Sequence, residues 1–191
     1  PGVLFWDTIL RESVPDSYAD LGFRTVSTNP CGEIPLCPYD SCRLLAINLY
    51  SYVVNPFKPD AYFDFDLFKK HVALAQRIMD DIIDLELEKI ERIMAKIDSD
   101  PENEDVKHTE SVLWQKIYKK SGQGRRTGVG ITAEGDMLAA LGLRYGTEEA
   151  TEFAEKVHQT VALSAYRSSV EMAKERGAFE VYDSEREKNN P

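Results

Sequence analysis

No apolar run in these 191 residues approaches the roughly 20 needed to cross a bilayer as a helix, and no basic-then-apolar leader precedes the first helical pattern. A non-membrane, cytoplasmic setting is expected. Cysteine is scarce. Three thiols, an odd number, do not make a secreted disulfide framework and are expected to be reduced, catalytic or structural. Cys31, Cys37 and Cys42 lack the paired short spacing of a zinc knuckle, and His71, His108 and His158 fall in separate helical segments, so no metal site is expected. Basic residues are outnumbered, 23 against 33 acidic, for a net charge of −10. That balance argues against a nucleic-acid surface, which needs clustered Lys and Arg to displace counterions. No internal repeat is evident, and Gly128-Val-Gly130 is followed by no Gly-Lys-Ser/Thr, so a phosphate loop is disfavoured against a close-packing role.

The patterning that is present describes a helix-rich α/β chain. Apolar spacing predicts a short amphipathic helix over 1–14, ending before Pro15. Phe23–Thr28 is β-branched and short, a predicted strand. Leu44–Val54 is nearly all apolar and reads as a strand buried on both faces, with a short buried helix as the alternative that periodicity leaves open. From Asp66 the period becomes helical through Phe68, Val72, Ala75, Met79, Ile82, Ile83, Ile90, Ile93, Met94 and Ile97, with Asp64 or Asp66 as cap and room for a kink near Leu85. An acidic turn over 99–105 leads to a helix over 106–120, so 87–120 reads as a helical hairpin. Thr127–Ile131 is a predicted strand, in which Gly128 and Gly130 permit close backbone approach. A helix over 132–141 closed by Gly142, and another from Thr147 to Gly177, complete the core; residues 182–191 read as a polar, unstructured tail. Asp80, Asp81, Asp84 and Glu86 are expected on a solvated helix face. Arg125 and Arg126 are expected to form ion pairs in preference to holding a phosphate.

The chemistry concentrates in Ser27-Thr-Asn-Pro-Cys-Gly-Glu-Ile-Pro-Leu36. In an extended segment residues two apart share one side, so Asn29, Cys31 and Glu33 are expected to converge on one small ligand. They offer a hydrogen-bonding amide, a sulfur able to act as nucleophile or radical, and a proton acceptor. A buried structural cysteine beside a turn is the plainer alternative.

Asn29-Pro-Cys-Gly-Glu-Ile-Pro-Leu36 followed by Pro38-Tyr-Asp-Ser-Cys-Arg-Leu-Leu-Ala-Ile-Asn-Leu49 closely resembles the finger loop and following cysteine of ribonucleotide reductase large subunits, in the form of the adenosylcobalamin-dependent class II branch. Gly124-Arg-Arg-Thr-Gly-Val-Gly130 and Leu141-Gly-Leu-Arg-Tyr-Gly146 resemble later core segments of that family, in the same order. The resemblance implies part of an α/β barrel bearing the finger loop, with 87–120 as an inserted helical hairpin. It implies a single internal fragment of the catalytic domain, since such subunits are several times longer and the chain opens on Pro1.

By the same resemblance Cys31 becomes a thiyl radical, Glu33 takes the 3′-hydroxyl proton, Asn29 orients the ribose hydroxyls, and Cys42 is one of the pair that supplies reducing equivalents. Adenosylcobalamin is the implied cofactor, with most of its binding residues outside this chain. A ribonucleoside di- or triphosphate is the implied substrate, a thioredoxin-like protein the reductant, and a homo-oligomer the assembly. The isolated fragment is expected to be inactive. Cys37 matches no family role, and Arg43-Leu-Leu departs from the smaller, more polar Asn-Leu-Gly usual in this branch. The alternatives are a class I large subunit, or a non-catalytic helical module whose acidic hairpin serves a partner.

Overall fold

The computed structural model describes residues 3–13, 17–41 and 43–189. A helical turn, α1 (Trp6–Thr8), runs into a π-helical turn over Ile9–Ser13; the rest of the helix expected over 1–14 lies outside the described residues. Strand β1 (Ser27–Thr28) pairs antiparallel with β2 (Pro35–Leu36). Only the end of the predicted Phe23–Thr28 strand pairs, because its partner is two residues long, yet burial still alternates through Phe23 and Thr25.

The apolar run from Leu44 is not one strand. It forms β3 (Leu44–Asn48), a 3₁₀ turn over Leu49–Tyr52, and β4 (Val53–Val54), which pairs with β5 (Tyr62–Phe63). Residues three apart face opposite sides of a strand but eclipse in a 3₁₀ turn, so the turn buries Leu49 and Tyr52 together. Nor is β3 buried on both faces: Ile47 enters the core while Leu44 is 60% exposed.

Helix α2 (Phe65–Ser99) starts where the Asp64 carboxylate accepts from the Leu67 N–H at 2.9 Å, and it continues without a break through Leu85. Helix α3 (Glu104–Gly124) is capped by Asn103, whose side chain accepts from the Asp105 N–H at 2.8 Å. Then follow β6 (Gly128–Thr132), α4 (Glu134–Ala140), and α5 (Glu148–Arg176), which opens on a Thr147 cap and ends at Gly177 with φ +87°. Among the described residues no helix is long and apolar enough to cross a membrane.

Two compact units result. The first comprises 43–82 and 127–177. In it β3 and β6 run parallel, Leu44 opposite Gly128 and Asn48 opposite Thr132. Their core gathers Ile47, Leu49, Tyr52, Phe68, Met137 and Val157. Tyr52 meets Phe63 and Phe68 with ring centroids 5.8 and 4.9 Å apart, and its hydroxyl lies 3.0 Å from His71 Nδ1. Arg176 donates to both Asp80 and Asp81, which neutralises part of the acidic face of α2. Helices beside a parallel strand pair make an α/β unit. Each sheet among the described residues has two strands, so this chain alone does not close the barrel that the resemblance implies.

The second unit comprises 1–42, 83–126 and 178–191. Here the end of α2 and α3 form the expected antiparallel hairpin: the Tyr118 hydroxyl donates to Glu91 at 2.8 Å, and Lys107 reaches the Asp98 carbonyl at 3.2 Å. Phe23 is 3% exposed and lies against the C-terminal turn of α3, where a methyl on Gly124 would stand 2.6 Å from its ring. The supposed tail is structured as α6 (Ser184–Lys188). Asp183 caps it, and Arg186 donates through both Nη1 and Nη2 to Asp20, at 2.5 and 2.8 Å. A polar composition did not leave this segment loose because its charges find fixed partners.

The close approach expected at Gly128 is real, and the one at Gly130 is not required. A methyl on Gly128 would lie 2.6 Å from the Arg43 carbonyl oxygen, whereas one on Gly130 would lie 3.7 Å from that of Leu45. Gly128→Ala should therefore lower unfolding stability by about 1–3 kcal/mol, and Gly130→Ala by less than about 1 kcal/mol, in chemical denaturation. Equal costs at the two positions would show that the parallel pairing does not depend on this contact.

Candidate active site

The β1–β2 pair leaves Asn29–Ile34 as a short loop, and Asn29 closes it with every polar group for which a bond is seen. Its N–H donates to the Ile34 carbonyl at 3.0 Å, its side-chain oxygen accepts from the Ile34 N–H at 2.9 Å, and its carbonyl accepts from the Gly32 N–H at 3.0 Å. Asn29 is 6% exposed. Gly32 takes φ +86°, a left-handed conformation that glycine adopts without a Cβ penalty, and this lets the tip reverse. The loop is a turn, so the two-residue alternation expected of an extended segment does not apply. Asn29 is drawn into the base of the hairpin, while Cys31 and Glu33 are exposed at and beside its tip. Pro30 precedes the tip thiol and has no N–H to satisfy there.

Cys42 lies outside the described residues. Cys37 is 4% exposed, and its thiol stands 3.4 Å from Asp40 Oδ2. Burial, and next the Asp40 charge, push this thiol up to about 11. Such a thiol is protonated and inert at neutral pH, which suits the structural role expected of Cys37 and disfavours adventitious pairing.

Asp40 was not legible as a site residue, because a lone carboxylate in a Pro-Tyr-Asp turn has no periodic signal. Its side chain is 2% exposed. It accepts from Arg126 Nη1 at 3.2 Å and from the backbone N–H of Ser41 at 2.9 Å. Arg126 also lies 5.1 Å from the Phe23 ring centroid. The ion-pair role expected for both arginines is the one found, since Arg125 donates to Asp84 at 2.8 Å. Asp40, Arg126 and Phe23 thus tie the Cys37–Ser41 segment to the end of α3 within their unit. The arrangement offers one exposed thiol on a braced turn, with an exposed carboxylate two residues on in sequence, and a separate buried thiol at Cys37.

The ribonucleotide reductase barrel-domain profile matches residues 1–190. A vitamin B12-dependent ribonucleoside-diphosphate reductase of Thermoplasma acidophilum is 35% identical over 189 residues, 98% of this chain and 20% of that protein. A protein of the same description from Mycobacterium tuberculosis is 31% identical over 97% of the chain and 22% of its own length. The ribonucleoside-diphosphate reductase subunit alpha of Chlamydia pneumoniae is 28% identical over 81% of the chain and 12% of its own length. The chain spans about a fifth of the first two relatives.

Near pH 8, alkylation of Cys37 in the folded chain should run about 100-fold slower than that of an unperturbed thiol, because raising the pKa from 9.0 to about 11 removes about two decades of thiolate. Mass spectrometry of timed alkylation should show Cys31 modified first, with the lag of Cys37 abolished by denaturant. Because the folded value is the higher one, the stability held in the protonated thiol is complete below pH 9.0 and is lost as pH rises toward about 11. Cys37→Ala should therefore flatten the alkaline limb of the stability profile; an unchanged limb would assign it elsewhere.

Proposed function

The chain belongs to the ribonucleotide reductase barrel-domain family, and on that premise we propose that it is part of a cobalamin-dependent reductase catalytic subunit, with Cys31 as the radical-bearing thiol. The observation that carries the reading is the exposed thiol at the tip of a hairpin closed by Asn29, with the exposed Glu33 two residues on. Loss of a ribose 2′-hydroxyl is difficult by acid or base alone, because the carbon has no activating neighbour. A sulfur radical at Cys31 takes the hydrogen atom from C3′: the C–H bond breaks, an S–H bond forms, and the sugar holds the unpaired electron.

Glu33 accepts the 3′-hydroxyl proton as this happens and returns it when the 3′-hydroxyl is restored, while the 2′-hydroxyl leaves as water with a proton from the Cys42 thiol pair. Cys42 and a second thiol from elsewhere in the protein supply two electrons and two hydrogens and finish as a disulfide. Cys31 then returns its hydrogen to C3′ and regains the radical. Asn29 has its amide oxygen committed to Ile34, which leaves the NH₂ to donate to a ribose hydroxyl.

The exposure of Cys31 fits access by a large cofactor. Adenosylcobalamin, when bound, would supply a radical able to remove the hydrogen atom of the Cys31 thiol, and most of the residues that would hold it are read as lying outside this chain. The substrate in this reading is a ribonucleoside di- or triphosphate, the external reductant a thioredoxin-like protein, the assembly a homo-oligomer and the setting cytoplasmic. The isolated chain, whose sheets among the described residues have two strands each, is expected to be inactive and to self-associate through its open strand edges. The α2–α3 hairpin is read as an insertion.

In the intact protein, Cys31→Ser should reduce nucleotide reduction to background, because an oxygen radical is not accessible at that bond strength, while Cys37→Ser should keep turnover. Asn29→Ala should lower kcat by about 10–100-fold through lost orientation. Cobalamin-dependent formation of deoxynucleotide is the expected assay. Activity that needs a separate radical-storing subunit instead would move the protein to the class I branch. Undiminished function in Cys31→Ser would favour the helical interaction module.

A further inference from the structure

Between Ser111 and Ala133 the chain carries no acidic residue and five basic ones, in a protein of net charge −10. Arg125 and Arg126 are engaged by Asp84 and Asp40. Lys116, Lys119 and Lys120 lie at i, i+3 and i+4 of α3 and so share one helix face. No carboxylate pairs with any of the three among the described residues. Like charges at that spacing repel by a few tenths of a kcal/mol each, roughly what an opposite-charge pair would gain. The C-terminal dipole of α3 relieves Lys120, near the end at Gly124, but Lys116 stands two turns back, beyond its reach.

The three lysine side chains line one concavity of about 310 Å³, completed by Leu21, Tyr39, Gln123 and Val181. Two of them are held in place. Lys120 donates to the Gly22 carbonyl at 2.9 Å and sits 3.9 Å above the Phe23 ring; Lys116 donates to the Tyr39 hydroxyl at 3.4 Å and lies 5.1 Å from that ring's centroid. The Tyr39 hydroxyl, accepting from Lys116, keeps its own proton to donate. The Gln123 amide is steadied through its bond to Glu180 at 2.9 Å. Lys119 has no partner among the described residues.

We propose that this concavity binds a compact phosphoryl anion, the di- or triphosphate group of a nucleotide or free pyrophosphate. Lysines act on phosphate as point charges, and three of them within one helical turn of each other, about 6 Å along the axis, match several charges carried on one small group. An extended acidic peptide presents same-side carboxylates about 7 Å apart along a line and does not match a concavity of this size. The volume falls at the low end of small-molecule sites, and Leu21 and Val181 offer apolar surface to an organic portion. The site does not depend on the chemistry of Cys31.

Calorimetric titration of the full chain with pyrophosphate, a nucleoside triphosphate, the bare nucleoside and a glutamate-rich peptide tests it. Pyrophosphate and the triphosphate should bind, more weakly as salt rises, and the nucleoside should not. Tighter binding of the triphosphate than of pyrophosphate identifies a nucleotide as the source; equal binding identifies the phosphate group itself. Lys119→Gln should weaken pyrophosphate about tenfold, and the Lys116→Gln/Lys119→Gln pair further, with Tm unchanged for Lys119→Gln because no internal bond is lost. The proposal fails if the folded wild-type chain gives no pyrophosphate binding, if both variants bind it as the wild type does, or if only the nucleoside or the peptide binds.

Discussion

Parallel strands cannot be joined by a tight turn, and that constraint arranges most of this chain. β3 and β6 lie side by side in register from Leu44–Gly128 to Asn48–Thr132, so everything between them must be a crossover. Nearly 80 residues take that route, far more than the dozen or so a crossover needs, and α2 and α3 occupy most of it. The second part of α2 and the whole of α3 belong to a separate compact unit together with the N-terminal hairpin. Gly128 allows the strands to meet, because the Arg43 carbonyl occupies the space a side chain would need.

In the β1–β2 hairpin loop, the organising principle is satisfaction of backbone polar groups in place of apolar burial. A loop of six residues has little core to bury, and Asn29 compensates by serving both sides of its base with backbone and side chain. Cys31 can then stand at an exposed tip on a braced backbone. The two described thiols illustrate opposite uses of the same atom. One is open to solvent beside a carboxylate two residues away, and the other is sealed against Asp40, where its ionisation is suppressed.

Charge is distributed with similar economy. The acidic face of α2 is met by arginines: Arg176 takes Asp80 and Asp81 within one unit, and Arg125 takes Asp84 within the other. These pairs are mostly solvent-exposed and contribute little each to stability. Asp40 with Arg126 is different, since the carboxylate is nearly sealed from water and loss of its partner would leave a buried charge. Lys116, Lys119 and Lys120, by contrast, gather on α3 with no carboxylate paired to them among the described residues, along one concavity of an otherwise acidic protein.

Helix limits at Asp64, Thr147 and Gly177 were legible because caps and glycine stops are local chemistry, and the apolar period of α2 includes the buried Phe68, Val72, Ala75, Met79 and Ile83, though Ile82, in the same pattern, stays 37% exposed. The finger-loop motif singled out Asn29, Cys31 and Glu33 as candidates from residue types and order; the fold draws Asn29 inward and leaves Cys31 and Glu33 exposed. Less was legible where distant partners decide. Leu44–Val54 reads as one strand until the need to bury Leu49 and Tyr52 together bends it, and 182–188 reads as a tail until Asp20 claims Arg186. The inward turn of Asn29, the sealing of Cys37 by Asp40, and the convergence of three lysines on one hollow are also tertiary outcomes. A sequence determines what each segment prefers by itself; only the folded chain determines which groups lose water together, and that loss sets where a thiol is reactive and where charge accumulates.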